Sequence, residues 1–216
     1  MSRNLSSSLF AAALAALLSI SVTGTAEACI RAMPAGAGAP VPADQAALNT
    51  ALLDAAILAE VNHTRCRSGL RPLTDAPSLR PVAEAHARWM ARTATLTHAP
   101  ALQGGLDSLG ARLAAGGYGS RAGAENIAMV HRYQIDGQPV FVRNAGACHF
   151  TNRRGQPIGA HSYASLAAHL VAQWMASPGH RTNLLHPRLT RVAHAGAVAP
   201  HRASCGRVYA VQIFAG

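Results

Sequence analysis

Two amphipathic segments dominate the first half of the chain. The first runs from about Asp44 to Arg67 and the second from about Asp75 to Thr93, and in both the apolar residues recur at intervals of three and four. This spacing places apolar side chains on one face of an α-helix, so both segments are predicted to be helices. The apolar positions are Leu48, Leu52, Ala55, Ile57, Leu58 and Val61 in the first helix, and Leu79, Val82, Ala83, His86 and Met90 in the second. Because His86 lies on the apolar face, we expect it to be a buried, hydrogen-bonded core residue.

The rest of the chain alternates shorter helices and strands. Helices are predicted at about 106–115 and 161–176 and strands at about 193–199 and 207–215, while residues 124–130 are predicted to be a loop that enters a strand. Between residues 131 and 160, the dipeptide Asp136-Gly137 is typical of a tight turn, so a β-hairpin or another excursion near the mouth of the site is predicted there. Helices near both ends of the chain, with a few antiparallel strands between and after them, indicate an α+β domain.

The N-terminal residues have the pattern of an export signal. Arg3 precedes an apolar run from Leu9 to Val22, and the small-residue site Ala26-Glu27-Ala28 follows. We expect residues 1–28 to be a signal peptide cleaved before Cys29, because the apolar run is too short to span a membrane as a helix. The alternative is a lipoprotein anchored at Cys29, which the charged Glu27 and the lack of a leucine at position 26 disfavour.

After cleavage, the mature chain is predicted to have two parts. Residues 29–47 include a stretch rich in Gly, Ala and Pro and are predicted to be a flexible leader. Residues 48–216 are predicted to be one folded domain with an insertion at about 131–160. No later apolar segment is long enough to span a membrane. We therefore expect a secreted protein, periplasmic or extracellular, that is a monomer.

Four cysteines remain after cleavage, which is an even number for an exported protein. Four cysteines allow three pairings, and an oxidising compartment favours two disulfides. The pairing that we favour is Cys29–Cys66 and Cys148–Cys205. The first bridge would join the mature N-terminus to the end of the first helix, and the second would join the insertion to the last hairpin.

The formal net charge of +10 carries little information about nucleic acids. All 19 basic residues are arginines, and they are scattered along the chain without a basic run or an aromatic stacking motif. Specific DNA or RNA binding is therefore not expected. A weak attraction to anionic envelope polymers or phospholipid headgroups does follow from the charge.

The segment from Trp174 to Leu185 fixes the position of one histidine. Ser177 is a good N-cap and Pro178 suits the first helical position, so a short helix is predicted to begin here. His180 would then lie in the first turn, where the positive end of the helix favours the neutral imidazole. A neutral histidine at this position can bind a metal or an anion, or it can simply cap a turn.

An ordered set of short motifs resembles the CAP superfamily, which includes cysteine-rich secretory proteins, plant pathogenesis-related proteins and insect venom antigens. The motifs are Asn62-x-x-Arg65-x-x-x-Gly69-Leu70-x-Pro72-Leu73, Leu79-x-x-x-Ala83-x-x-His86-Ala87-x-x-Met90, Leu96-Thr97-His98-Ala99-Pro100, Arg112-x-x-x-x-Gly117-Tyr118, Gly123-Ala124-Glu125-Asn126-Ile127-Ala128, the segment from Trp174 to Leu185, and Val211-Gln212-Ile213-Phe214-Ala215. They cover about residues 50–216 in the family's order, with an unusual insertion at about 131–160. The set is most similar to the short secreted bacterial members, and it implies a three-layer α-β-α sandwich with a small antiparallel sheet.

The resemblance also implies a site. In the family, the residues that match His98, Glu125 and His180 meet in a central cleft, which Asn126 and Arg181 would also line. Two neutral imidazoles and a carboxylate are chemically a transition-metal site, most often zinc, so His98 and His180 are candidate metal ligands. Glu125 would be the third ligand or the base that polarises a metal-bound water. The alternative is that Glu125 hydrogen-bonds backbone amides and orients a histidine without a metal.

One departure from the family weakens a hydrolytic interpretation. Eukaryotic members carry a second glutamate three positions after the helix tryptophan, whereas here Ser177 occupies that position after Trp174. We therefore expect a secreted binding or interaction domain whose cleft binds a divalent metal, a lipid, a peptide or an envelope component. One alternative is a metal-dependent hydrolase with Glu125 as the base. The other is an arginine-rich surface that binds anionic envelope polymers, beside a vestigial cleft.

Overall fold

The computed structural model describes residues 29–119 and 122–216, so the predicted signal peptide lies outside the described residues. The helices are α1 (Thr50–Arg67), α2 (Arg80–Thr93), α3 (Leu109–Ala115), α4 (Tyr163–Ala176) and α5 (Pro178–Leu184). The strands are β1 (Thr74–Asp75), β2 (Gly123–His131), β3 (Phe141–Asn144), β4 (His149–Thr151), β5 (Pro157–Ile158), β6 (Arg191–Ala199) and β7 (Arg207–Ala215). Helices and antiparallel strands share one domain, which confirms the α+β prediction.

The main sheet has four strands in the order β1-β6-β7-β2. Strand β7 pairs antiparallel with β6 on one side and with β2 on the other, along the full length of all three strands. The two-residue strand β1 adds a short parallel edge beside β6. The two strands nearest the end of the sequence therefore lie in the middle of the sheet.

Helices cover both faces of this sheet, because successive side chains of a strand point to opposite faces. On one face, Val192 and Val198 of β6 pack with α1, α4 and α5, in a core that includes Trp174. On the other face, Ala193, Ala195 and Ala197 pack against α2 and α3. The row of alanines presents only methyl groups to α2, and it forms the second core of the α-β-α sandwich.

The first two helices begin later than predicted. The side chain of Asp44 accepts a hydrogen bond from Ala46 N, which caps a short 3-10 turn at 45–47, and α1 begins only after a second cap by Asn49. Asp75 pairs in β1 and the segment Pro77–Leu79 forms another 3-10 turn, so α2 begins at Arg80. In both cases the aspartate at the predicted start of the helix instead precedes a separate 3-10 turn.

The insertion at 131–160 is built differently from the predicted hairpin. Its strands form a separate sheet in the order β3-β4-β5, and the turn between β3 and β4 lies at 145–148. Asp136-Gly137 does not join paired strands, because the Asp136 carboxylate accepts hydrogen bonds from the backbone and the ring of His131. The insertion also starts at the far end of β2 from Glu125, six residues away, or about 20 Å along a strand. The prediction that it lies near the mouth of the site was wrong.

The segment 29–47 is not a detached leader. Ala37 and Val41 are buried in the first core. The backbone of Val41 donates to His161 O at 2.8 Å and accepts from Arg132 Nη1 at 3.1 Å. Because these contacts reach α4 and the end of β2, the segment packs as part of the domain.

Both predicted disulfides are confirmed. Cys29 is bonded to Cys66 and Cys148 to Cys205, with Cα–Cα distances of 5.4 and 5.7 Å. The first bridge attaches residue 29 to the end of α1, and the second attaches the β3–β4 turn to the loop before β7. Within the part of the chain that the structure describes, no helix combines the length and apolar character that a membrane span needs.

Candidate functional site

Glu125 is the centre of the site, and nitrogens of three side chains lie within hydrogen-bonding distance of its carboxylate. It is the third residue of β2, and its side chain points to the face covered by α2 and α3, where only 2% of it is exposed. His98 Nδ1 donates to Oε1 at 2.9 Å, Arg112 Nη2 donates to Oε2 at 2.8 Å, and His86 Nδ1 lies 3.3 Å from Oε2. Both carboxylate oxygens are therefore in contact with nitrogens, which come from α2, α3 and the loop that carries His98.

These donors determine the charge state of Glu125. Burial by itself raises the pKa of a carboxyl group, but the hydrogen bonds from His86 and His98 and the charge of Arg112 outweigh it. The result is a pKa lowered from 4.5 to about 2. Glu125 is consequently ionised across the physiological pH range and has little tendency to accept a proton.

His98 is the exposed member of this group, with 58% of its side chain accessible. Since its Nδ1 donates to Glu125, the neutral ring carries its proton on Nδ1 and leaves Nε2 as a free acceptor. Arg112 Nη2 also donates to the backbone carbonyl of His98 at 3.1 Å, which fixes the loop that carries the ring. The geometry therefore presents one imidazole nitrogen to solvent in a defined orientation.

His180 lies on the neighbouring helix and is half-buried. It is in the first turn of α5, as predicted, although the Ser177 side chain makes no capping hydrogen bond. Burial lowers the pKa of His180, and the nearby charge of His98 lowers it further. The neutral imidazole was predicted from the helix terminus, and in the structure burial and the nearby His98 both favour it.

Helix α5 is held in place by the side chains of Asn126 and Asn183. Asn126 points to the opposite face of β2 from Glu125 and donates to the carbonyl of His180 at 3.2 Å. Asn183 Nδ2 donates to Asn126 Oδ1 at 2.9 Å and to the backbone carbonyl of Glu125 at 3.3 Å. Asn126 also donates to Gln212 Oε1 on β7 at 2.9 Å. Adjacent residues of β2 thus position the two histidines. Glu125 accepts the hydrogen bond that orients His98, and Asn126 anchors α5, the helix that carries His180.

A buried arginine holds the other end of α5. Arg65 of α1 is 2% exposed, and its Nη1 donates to the carbonyls of Leu184 at 2.8 Å and His186 at 3.2 Å. Its Nε donates to the carbonyl of Arg71 at 3.0 Å. The last turn of α5 is therefore tied to the end of α1, which leaves the helix little freedom to move relative to the sheet.

Sequence reasoning missed two members of the site. His86 was predicted to be buried, and it is, but its contacts with Glu125 and with Thr97 O (2.8 Å) were not foreseen. Arg112 of α3 is also fully buried, next to Leu113. The sequence signal for this role was an arginine on the apolar face of a short helix. Arg181, which was predicted to line the cleft, is exposed on α5.

The residues of the site fit a three-ligand metal centre poorly. Glu125 would have to give up hydrogen bonds from His98 or Arg112 to reach a metal, leaving a buried guanidinium without its carboxylate. Among residues 29–119 and 122–216, no group of three or more His, Cys, Asp or Glu side chains is arranged to hold a metal ion. His98 and His180 remain as two imidazoles, and the prediction that they bind zinc stays untested.

Comparisons with known proteins identify the sequence family. The model of the cysteine-rich secretory protein family, CAP, matches residues 58–214. No curated protein is similar enough to count as a match.

Solved structures similar to this chain include proteins from three bacteria. One is an extracellular protein containing an SCP domain from Bacillus anthracis, with 22% identity, a TM-score of 0.47, and coverage of 77% of this chain and 41% of that one. An outer surface protein of Borrelia burgdorferi has 17% identity, a TM-score of 0.45, and coverage of 74% and 88%. A cysteine-rich secretory protein of Staphylococcus aureus has 17% identity, a TM-score of 0.44, and coverage of 77% and 39%. The chain thus spans less than half the length of the first and third proteins.

Proposed function

Because the chain belongs to the cysteine-rich secretory protein family, CAP, we propose that it is an exported binding domain. The surface around His98, Glu125 and His180 recognises a lipid or peptide component of the cell envelope and does not turn it over. Two disulfides within one domain support an oxidising location outside the cytoplasm. The observation that carries the proposal is the saturation of the Glu125 carboxylate by contacts with three nitrogen-bearing side chains.

That saturation argues against Glu125 as a catalytic base. An effective general base has a pKa near the working pH and reaches the proton that it removes. The pKa of Glu125 is about 2, and its side chain is 2% exposed. Its contacts instead orient His98 and neutralise Arg112, which is the work of a positioning residue.

The imidazoles of His98 and His180 are suited to binding. His98 offers Nε2 as a hydrogen-bond acceptor in a fixed direction, and His180 contributes a second neutral ring beside it. Two imidazoles alone make a weak zinc site, since structural and catalytic zinc centres use three or four protein ligands. No chemical step is assigned to a metal, and zinc binding is one of the quantities that the following experiment measures.

The experiment compares wild type, the double variant His98→Ala/His180→Ala and a control, His149→Ala. His149 is exposed on β4, so its loss removes one imidazole from a different surface. The probes are zinc alone, vesicles of phosphatidylethanolamine and phosphatidylglycerol, and purified peptidoglycan, each measured by isothermal titration or sedimentation. Binding of vesicles or peptidoglycan that is lost in the double variant and kept in His149→Ala supports the proposal.

A turnover assay distinguishes binding from hydrolysis. Ester, peptide and peptidoglycan substrates are incubated with wild type and with the double variant, in the presence and absence of zinc. No turnover is expected from either protein. Reproducible turnover that disappears in the double variant would show that the domain is an enzyme and that the binding proposal is wrong.

A further inference from the structure

A second concave region lies away from His98, Glu125 and His180. It is an open pocket of about 800 Å³, which we call the insertion pocket. It is lined by residues of the β3–β4 turn of the insertion, by residues of the loop between β6 and β7, and by Ala43. The lining residues are Ala43, Arg132, Ala145, Gly146, Cys148, Pro200, His201, Arg202, Ala203, Cys205 and Gly206.

The charges that line the insertion pocket all have one sign. Arg132 and Arg202 are cationic, His201 is titratable, and no lining residue is an aspartate or a glutamate. Asp136, which follows Arg132 by four positions, is already bonded to His131 Nδ1 at 2.5 Å and lies 3.4 Å from His169 Nε2. Among the described residues, no carboxylate lies within 4.0 Å, the limit for an ion pair, of either Arg132 or Arg202.

Arg132 is the key residue because its charge is buried without a counter-ion. The residue is 9% exposed, and its guanidinium donates through Nε to Cys205 O at 2.9 Å and through Nη1 to Val41 O at 3.1 Å. A guanidinium has five N–H donors, so these two bonds leave capacity for further acceptors. The guanidinium also lies over the Tyr133 ring, 4.7 Å from its centroid, which compensates part of the buried charge but provides no counter-ion. A buried charge is costly unless it is paired, and an anion in the pocket would supply the missing counter-ion.

The rest of the wall is apolar and held in shape by a covalent bond. The alanines, Pro200 and the Cys148–Cys205 disulfide present carbon and sulfur surfaces beside the arginines. Cys148 and Cys205 have φ angles of 54° and 57°, a left-handed conformation that is uncommon for residues other than glycine. The disulfide joins these two loop residues, so the walls are fixed before any ligand arrives, which lowers the entropy cost of binding.

We propose that the insertion pocket binds a small organic anion, a carboxylate or phosphate group carried on a compact apolar body. Arginine suits this chemistry because its planar donors match the oxygens of both groups. A volume of about 800 Å³ lies within the range of small-molecule sites, which combine mostly apolar walls with a few polar anchors. The anionic group contacts Arg132 and Arg202, and the apolar body rests on the alanines and the disulfide.

The test uses phenyl phosphate as the probe, with the oxidised protein in 150 mM salt and isothermal titration as the readout. Benzoate tests the carboxylate form, inorganic phosphate tests the anionic group alone, and benzyl alcohol tests the apolar body alone. We expect saturable binding of phenyl phosphate or benzoate, and at least tenfold weaker binding of inorganic phosphate and benzyl alcohol. Equal affinity for inorganic phosphate and phenyl phosphate would overturn the apolar part of the proposal.

Two variants and one control locate the site. Arg202→Gln removes an exposed cation from the pocket and is expected to weaken binding about tenfold, since hydrogen bonds to charged groups are worth that much. Ala203→Trp fills the pocket from an exposed position without changing any charge and is expected to abolish binding. Arg154→Gln removes an equally exposed arginine from a different part of the insertion and should leave the affinity unchanged.

The outcomes separate this proposal from general electrostatics and from the proposed function. If Arg154→Gln weakens binding as much as Arg202→Gln, or if Ala203→Trp binds as wild type does, the attraction is non-specific and the pocket is not the site. The absence of saturable binding to either organic anion would also overturn it. The double variant His98→Ala/His180→Ala should bind phenyl phosphate normally, because those residues lie on a different surface.

Discussion

The substitution Glu125→Gln tests the central claim that this carboxylate is a positioning group under strong local charge. Glutamine keeps the shape of the side chain but removes its charge and replaces one acceptor oxygen with an NH₂ donor. That donor must face Arg112 or one of the two histidines, whose nitrogens surround the carboxylate in the wild type. Arg112 is fully buried, so it would be left with an uncompensated charge.

Two independent estimates give the size of the effect. The pKa of Glu125 falls from 4.5 to about 2 on folding, which at about 1.4 kcal/mol for each pKa unit corresponds to about 3 kcal/mol of stability at neutral pH. Removing one partner of a buried ion pair costs about 3–5 kcal/mol in other proteins. We therefore expect Glu125→Gln to lower the free energy of unfolding by about 3 kcal/mol at pH 7.

The pH dependence gives a second signature. Because the pKa of Glu125 is lower in the folded protein, its contribution to stability is complete above pH 4.5 and is lost as the pH falls towards 2. The difference in stability between wild type and Glu125→Gln should therefore be constant from pH 7 to pH 5 and shrink below pH 4.5. Guanidinium unfolding followed by tryptophan fluorescence at several pH values measures this directly.

The matched control is Glu84→Gln on α2. Glu84 is also paired with an arginine, Arg88, at 2.8 Å, but the arginine side chain is 48% exposed. An exposed pair of this kind contributes at most about 1 kcal/mol. If Glu125→Gln is no more destabilising than Glu84→Gln, or if its effect does not change between pH 5 and pH 2, the account of the site given above is wrong.

Three further predictions concern the fold. Replacing Cys148 and Cys205 by serine should cost about 4 kcal/mol, because the bridge closes a loop with a sequence separation of 57, and thermal unfolding of the oxidised proteins measures it. Gly196→Ala should destabilise by about 1–3 kcal/mol, since its new methyl group would come within 2.4 Å of a leucine of α1, whereas Gly159→Ala meets no atom within 4 Å and should change little. Arg65→Lys should cost about 2–4 kcal/mol in guanidinium unfolding, because a single ammonium cannot reach the carbonyls that the guanidinium joins.

The elements that were predicted well are those whose structure follows from the pattern of their own apolar side chains. The range predicted for β7, about 207–215, coincides with the observed strand because almost every residue in it is buried. Asp136-Gly137 does lie in a turn, as predicted, but this turn does not join two paired strands, because the Asp136 carboxylate binds His131, five residues earlier, and determines the local path of the chain. Local propensity did not reveal that contact, since it joins a strand end to a loop.

The site was predicted only in part for a related reason. Glu125 stood out because glutamates are rare in this chain and no apolar face explained it. Its donors were harder to find, because His86 and Arg112 lie on two different helices and come together only when both pack on the same face of the sheet. The direction of the His180 pKa was predicted, but its cause depends on burial and on His98, which the sequence alone does not position.

The position of β6 and β7 in the sheet has a consequence for how the chain is made. Both strands come from residues 191–215, the last described elements to leave the ribosome, yet they occupy the middle of the sheet and separate β1 from β2. A nascent chain that ends before Arg191 can form helices, but it lacks the surface on which α1, α2 and α4 bury their apolar faces. Domains commonly fold from the N-terminus during synthesis, but this domain cannot form its sheet in that order. The chain has no stable sheet until β6 and β7 are available. A premature stop before residue 191 is therefore expected to yield an aggregating fragment and no smaller folded domain.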